Sequence, residues 1–198
     1  SVLVVGAGLL GTSLGLALRR QGVPVWLSDT NARAQALAAD LGAGVAGLPG
    51  SAPDVVVVAV PPAATVLVAT HYHRLFPTSI VSDLASVKTR LQLEIDTSPT
   101  LAERFVGGHP LAGRERSGPE AARADLFEGR AWVLTPGPLV PETRVKVVRG
   151  LVQAAGALPV LLTPQAHDVA VALVSHLPQV VASLLAARLV DAPSGALE

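Results

Sequence analysis

Val2-Leu3-Val4-Val5-Gly6-Ala7-Gly8-Leu9-Leu10-Gly11 stands at the head of the chain, and its reading decides the fold. An apolar run without polar alternation suits a strand buried on both faces of a parallel sheet. Gly-x-Gly-x-x-Gly follows at once. Thr12 to Gln21 then reads as a helix with Leu14, Ala17 and Leu18 on its core side and Gly22 as its C-cap. In such a strand–turn–helix unit Gly6 permits the tight turn, Gly8 lets the backbone approach a pyrophosphate, and Gly11 lets helix and sheet pack closely. The free N–H groups at the helix start, where Leu9 and Leu10 lie, point at the phosphates. A second strand, Val23 to Ser28, ends at Asp29, placed to accept from the adenine ribose hydroxyls. Its charge repels the extra phosphate of NADP, so NAD is the expected cofactor. A flavin, or a bare strand–helix turn with no ligand, is the alternative reading of the same residues.

The pattern continues outward from this unit. Asn31 to Leu41 reads as a helix closed by Gly42, and Gly44 to Ala46 as a very short strand. Val55 to Val60 is a β-branched strand that Pro61 and Pro62 terminate. Val60 and Pro61 fall on the carboxyl edge of the sheet, where doubly wound folds bind ligands. Helix Ala63–Phe76, strand Ile80–Asp83, a helix over Ser86–Thr97, and strands Phe105–Gly107 and Ala131–Leu134 come next. Helix Pro141–Ala155 and strand Leu158–Leu162 complete the alternation. The expected fold is α/β, a Rossmann-type mostly parallel sheet with helices on both faces. From Thr163 the pattern changes. Pro164 to Leu189 reads as one long helix, kinked near Pro178, with Val169, Leu173, Leu177, Val181 and Leu184 on one apolar face. The boundary therefore falls between residues 1–162 and 163–198, and Ala192 to Leu197 reads as loop.

Composition narrows the function classes. Half of the 198 residues are hydrophobic, which excludes a disordered chain. Fifteen basic residues balance fifteen acidic ones, leaving no electrostatic footprint for nucleic acid or an anionic membrane. The chain has no cysteine, so disulfides, thiolate nucleophiles and cysteine-ligated metals are out; that is compatible with a cytoplasmic enzyme. The apolar start lacks the basic flank of a signal peptide, and no membrane span is expected. The absence of methionine at position 1 suggests that the first residues are missing or replaced.

Three polar segments sit where chemistry is expected. In Ser82-Asp83-Leu84-Ala85-Ser86-Val87-Lys88, Ser86 is a candidate hydrogen-bond partner for a substrate or cofactor and Lys88 a candidate positive charge; the bland reading makes Ser86 an N-cap and Lys88 a solvated side chain. In Gly107-Gly108-His109-Pro110, His109 lies in a shaped loop and is a candidate general base near neutral pH. The segment from Glu115 to Phe127 reads as a loop closing over the site, with Phe127 as its anchor. The third pair, His167 and His176, is nine residues apart, about 2.5 helical turns. The two rings then point to opposed sides unless the helix is distorted, and metal binding is not expected. A hydrolase triad lacks its Gly-x-Ser-x-Gly elbow.

These pieces together resemble the TyrA family of prephenate, arogenate and cyclohexadienyl dehydrogenases. The matching stretches are Gly6 to Gly15, Val58 to Pro62, Ser82 to Lys88, His109 to Ala122, Asp125 to Arg130 and His167 to Pro178, in the family's order across the chain. The resemblance implies an NAD-dependent oxidative decarboxylation of prephenate, or of arogenate, in tyrosine biosynthesis. It implies His109 as the acceptor of the ring-hydroxyl proton and Ser86 as its neighbour beside the nicotinamide. His176, and more weakly Lys88, His167 and Gln179, would contact substrate. It also implies that residues 163–198 start an α-helical domain that forms a homodimer. Gln179 stands where the family commonly has histidine, which leaves the choice between the two substrates open.

The family continues further than this chain and carries a late arginine for a substrate carboxylate that has no counterpart here, so good NAD binding with poor turnover is expected. Hydroxyacid-type dehydrogenases are disfavoured, because no lysine lies between Gln165 and Glu198. An imine reductase would prefer NADPH. A non-catalytic NAD-sensing module remains the rival from another class.

Overall fold

The computed structural model describes residues 1–190. Its eight-stranded sheet has the order β3-β2-β1-β4-β5-β6-β7-β8. The strands are β1 (Val2–Val5), β2 (Val25–Ser28), β3 (Val45–Ala46), β4 (Val55–Val58), β5 (Ile80–Asp83), β6 (Phe105–Pro110), β7 (Ala131–Pro136) and β8 (Leu158–Leu161). The helices are α1 (Leu9–Arg20), α2 (Ala32–Asp40), α3 (Pro62–Leu75), α4 (Thr89–Ile95), α5 (Pro99–Ala102), α6 (Glu142–Ala154), α7 (Pro164–Val171) and α8 (Leu177–Val190). The chain order reverses at β1, between β2 and β4, which makes that crevice the topological switch point.

The continuous apolar strands explain the two-sided burial. Successive side chains alternate across the sheet, so Val2, Val4, Val55 and Val57 join one core with Leu14 and Leu18 of α1 and Val148 and Val152 of α6. Leu3, Val5, Val56 and Val58 join the other, with Ala69 and Tyr72 of α3 and Leu91 and Ile95 of α4. In-register pairing of Val5 with Ser28 and with Val58, and of Val58 with Asp83, brings the carboxyl ends of β2, β1, β4 and β5 to one level. Strand β6 runs parallel to β5 and carries Gly108 and His109 beyond that level.

Three features depart from the sequence reading. Strand β7 is antiparallel to β6, with His109 opposite Val133. Only a single 3-10 turn, Pro119–Ala121, intervenes between β6 and β7, too short to carry the chain back to the other end of the sheet, so the chain simply returns. Helix α4 begins at Thr89 rather than at Ser86, and Ser86 is not its cap. The backbone N–H groups of Lys88 and Thr89 instead donate to the Asp168 carboxylate at 2.9 Å each, a cap supplied from eighty residues away.

The third departure lies in the long helix. Between α7 and α8, Ala172–His176 forms a π-helical turn, in which the Leu177 N–H donates to the Ala172 carbonyl five residues back. Proline at 178 has no N–H and its ring crowds the carbonyl four residues earlier. The widened turn just before it relieves that conflict.

Pro164–Arg188 is long and apolar enough to cross a membrane, with a mean hydropathy of 1.9 over its most apolar window, only 6% of which is buried. Its first two turns, however, are docked on the sheet domain through buried Pro164, His167 and Val171. The apolar face of Val169, Leu173, Leu177, Val181 and Leu184 is exposed. Ala192 to Leu197 lie outside the described residues.

The segment between β6 and β7 is tethered through its second half. The Arg123 N–H donates to Ser13 Oγ at 3.0 Å. Phe127 is fully buried against Trp132, ring centroids 5.0 Å apart. Phe127→Ala is expected to lower unfolding stability by about 3–5 kcal/mol, read as a lower urea midpoint at unchanged slope.

Candidate functional site

The glycine turn has the geometry its sequence suggests. Gly6 has φ +107°, and a Cβ there would meet the Ala59 carbonyl oxygen at 2.3 Å. A Cβ on Gly11 would meet the Gly6 carbonyl oxygen at 1.9 Å, so only glycine lets α1 approach β1 this closely. Gly8, the N-cap of α1, is different: a Cβ there would meet nothing within 4 Å, and no side chain caps the helix. The helix start thus faces open space, with the N–H groups of its first turn, at Leu9, Leu10 and Gly11, directed into it. A phosphate-sized anion fits this cradle.

Asp29 sits at the end of β2 beside the turn. Its carboxylate accepts the Ala7 N–H at 2.6 Å and the Asn31 N–H at 2.7 Å, which fixes its orientation. Each oxygen retains lone-pair capacity for hydroxyl donors. A cleft of about 430 Å³ opens next to it, lined by Gly6, Asp29 and Val60 together with Leu67, His71 and Tyr72. Tyr72 and Ser28 share a 2.7 Å hydrogen bond on its wall. The sequence reading missed Leu67, His71 and Tyr72. Their signal was the spacing of Leu67, Val68, His71 and Tyr72 on α3, one stripe turned toward the end of β2. Pro61 is exposed at the mouth and caps α3. Two roomier surface depressions of about 680 Å³ hold none of these residues.

The chemistry side is organised by a buried ion pair. Asp83, at the end of β5, accepts the Gly108 N–H at 3.0 Å and the Ala85 N–H at 2.9 Å, and pairs with the Lys88 ammonium. Lys88 is only 1% exposed. Burial pushes its pKa down, and the Asp83 carboxylate beside it works in the opposite direction. Lys88 is therefore neither solvated nor aimed at an open cleft: its ammonium is engaged inside the fold. A Cβ on Gly108 would meet the Asp83 carbonyl oxygen at 2.6 Å, which explains the glycine before His109. The ion pair thus ties the Ala85–Lys88 bend, which carries exposed Ser86, to the strand that carries His109.

His109 is half-buried. Its Nδ1 lies 2.8 Å from His167 Nε2, and its Nε2 has no hydrogen-bond partner among the described residues. Burial lowers its pKa to about 4, with His167, Lys88 and His176 nearby adding to the shift and Asp168 opposing it. His109 is thus neutral at physiological pH. His167, expected as a substrate contact, is fully buried with its Nδ1 2.8 Å from Asp168 Oδ1. Burial raises the Asp168 pKa, but the N–H donors of Thr89, His167 and Lys88 outweigh it and bring the carboxyl to about 2.

His176 is exposed, yet near enough to act electrostatically on His109. The π turn accounts for this. One extra residue in a turn cancels about 100° of advance, which leaves His176 about 80° from His167 rather than opposite it. Gln179 is exposed on the next turn and reaches Ser183 Oγ at 3.5 Å. Among the described residues no three His, Asp or Glu side chains are grouped to hold a metal.

The open sheet edge, the glycine cradle and the acidic strand end define a Rossmann domain of the dinucleotide-binding class. The family model for the prephenate dehydrogenase nucleotide-binding domain matches residues 14–161, and that for the prephenate dehydrogenase dimerization domain matches residues 163–196. The chain belongs to the prephenate dehydrogenase family. It is 43% identical over 197 residues to the probable prephenate dehydrogenase NovF of Streptomyces niveus, covering all of this chain and 54% of that protein. It is 29% identical to the Bacillus subtilis prephenate dehydrogenase, covering 93% of this chain and 52% of that one. The chain therefore spans about half the length of these relatives.

Among solved structures, the prephenate dehydrogenase of A. aeolicus in complex with hydroxyphenyl propionate and NAD+ superposes with a TM-score of 0.89 at 32% identity, covering 98% of this chain and 70% of that one. The Synechocystis arogenate dehydrogenase gives 0.85 at 30% identity, covering 99% and 71%.

Two outcomes follow from this geometry. Lys88→Met leaves a buried carboxylate without its cation and is expected to cost about 3–5 kcal/mol, measured by chemical denaturation. The pH dependence has two windows. The fold holds His109 neutral with a pKa near 4 against an ordinary 6.5, so its contribution is complete above 6.5 and is lost as pH falls toward 4. The fold holds Asp168 ionised, with a carboxyl pKa near 2 against 3.8, so its contribution is lost between about 3.8 and 2. Denaturation midpoints measured from pH 7 to pH 2 should fall in both intervals, and His109→Gln should flatten the first.

Proposed function

We propose that the chain is the nucleotide-binding part of an NAD-dependent dehydrogenase that oxidatively decarboxylates prephenate to 4-hydroxyphenylpyruvate. The observation that carries the reading is His109. It is a neutral imidazole with one nitrogen pinned and the other free, on the same sheet edge as the glycine cradle and one strand from Ser86. The A. aeolicus relative, crystallised with NAD+ and a hydroxyphenyl acid, supports the choice of ligands.

The residues fit the cofactor. The α1 N-terminus at Gly8 would hold the pyrophosphate, with N–H groups from Leu9, Leu10 and Gly11. Asp29 would accept from the adenine ribose hydroxyls. Val60, Leu67 and Tyr72, which line the cleft beside Asp29, would hold the adenosine, and Pro61 and Ser86 would serve the nicotinamide end. When bound, NAD+ accepts a hydride from the ring carbon that bears the hydroxyl. His109 Nε2 takes the hydroxyl proton as the carbonyl forms, Ser86 orients that hydroxyl, and His176 with Gln179 faces the substrate from the long helix. The carbon–carboxylate bond then breaks, its electron pair passes through the ring to the carbonyl oxygen, and carbon dioxide leaves as the ring becomes aromatic; His109 returns its proton to that oxygen, giving the phenol. Lys88 and His167 act from behind, through Asp83 and His109. Arogenate is the alternative substrate, favoured by the Synechocystis likeness.

A homodimer formed through the exposed α8 face belongs to the same proposal and is supported by the dimerization-domain match. So does a cytoplasmic setting, where a freely diffusing NAD pool serves biosynthesis.

The test is NADH absorbance after adding NAD with prephenate, and separately with arogenate, with NADP as the cofactor control. Slow turnover with NAD is expected, and His109→Gln should reduce kcat further, by about 10²–10⁴-fold, while NAD affinity stays unchanged. NAD binding without turnover of either substrate would make the chain a sensor module instead.

A further inference from the structure

The hydrogen bond on His109 does not end at His167. The Asp168 carboxylate receives the backbone N–H groups of Lys88 and Thr89 on one side and His167 Nδ1 on the other, at 2.9, 2.9 and 2.8 Å. An ionised carboxylate only accepts hydrogen bonds. The proton between it and His167 therefore sits on Nδ1. A ring carrying that single proton presents a lone pair at Nε2, and this lone pair faces His109 Nδ1 at 2.8 Å. Two lone pairs cannot share that contact, so the proton in it belongs to His109 Nδ1. The lone pair of His109 is then left at Nε2, the nitrogen without a protein partner.

We propose that Asp168 and His167 form a tautomer relay that holds His109 as its Nδ1–H form and so makes Nε2 the base. This rests on the proposed function only for what the base is used for; the tautomer assignment stands apart from it. Asp168 and His167 are positioning residues that touch neither substrate nor cofactor. The relay also couples the two parts of the chain. The same carboxylate caps α4, beneath the Ser86 bend, and belongs to α7, the start of the long helix. Only a docked α7 sets the base, because His167 and Asp168 leave with it.

The test begins with long-range proton–nitrogen spectra of the ¹⁵N-labelled chain at neutral pH. The resonances of His109 and His167 are assigned among the five histidines by His109→Gln and His167→Gln. Both rings are expected as the Nδ1–H tautomer, the minor form of a free neutral histidine side chain. An Nε2–H His109, or a doubly protonated His167, overturns the relay.

The second arm compares His167→Leu, which has no acceptor, with His167→Gln, whose Oε1 can take the place of Nε2. The leucine variant should lose about a hundredfold in kcat with KM little changed, and the glutamine variant should recover most of that loss. Equal losses in two folded variants overturn the proposal. Because the spectra need no turnover, a silent wild-type chain with both rings Nδ1–H would remove the proposed function and leave the relay standing.

Discussion

The site depends on one buried carboxylate, Asp83. It holds two backbone N–H groups and the Lys88 ammonium at the point where β5 ends. A charge in a place without solvent is tolerated only when its partners are fixed. Those partners are the strand that carries His109 and the bend that carries Ser86, so the constraint on the charge becomes a constraint on the distance between two functional elements. The glycines at 107 and 108 belong to the same constraint. A side chain at Gly107 would strike Thr135 Oγ1 at 2.4 Å, and one at Gly108 would press on the Asp83 backbone. The polar cluster has little slack.

Much of the fold was legible because local and tertiary forces agree there. The Val2–Val5 and Val55–Val58 runs are buried on both faces, and an unbroken apolar run says as much. The glycine turn was legible because its steric demands are met by no other residue. Asp29 was legible by position alone. The reversal of β7 was not, since a strand's composition does not record its direction. The start of α4 was also hidden: its capping group lies in Asp168, and no local pattern reveals a cap supplied by another helix.

Side-chain roles were harder still. Lys88 reads as a solvated cation because lysines mostly are; only the fold shows Asp83 waiting for it. His167 and His176 were separated by helical arithmetic that assumes a regular helix. The arithmetic was sound and its premise failed at Ala172–His176. Tyr72 and Leu67 went unnoticed because an aromatic and a leucine on a helix are ordinary core residues until a strand end leaves a cleft beside them.

The π turn carries a consequence for how this helix can vary. It works as a phase shifter between a segment committed to the sheet and one that presents an apolar surface outward. Removing a single residue from 172–176 would let a regular α-helix close with every residue from Leu177 onward at its present heading, whereas closing the turn with that residue kept would swing them all by about 100° around the axis. His176 and the exposed leucines would change heading together while the sequence around them stayed intact. A substitution that lets the turn close, such as one replacing Pro178, re-aims a whole surface, whereas a one-residue deletion there leaves it aimed as it is, so winding rather than length is the quantity this turn fixes.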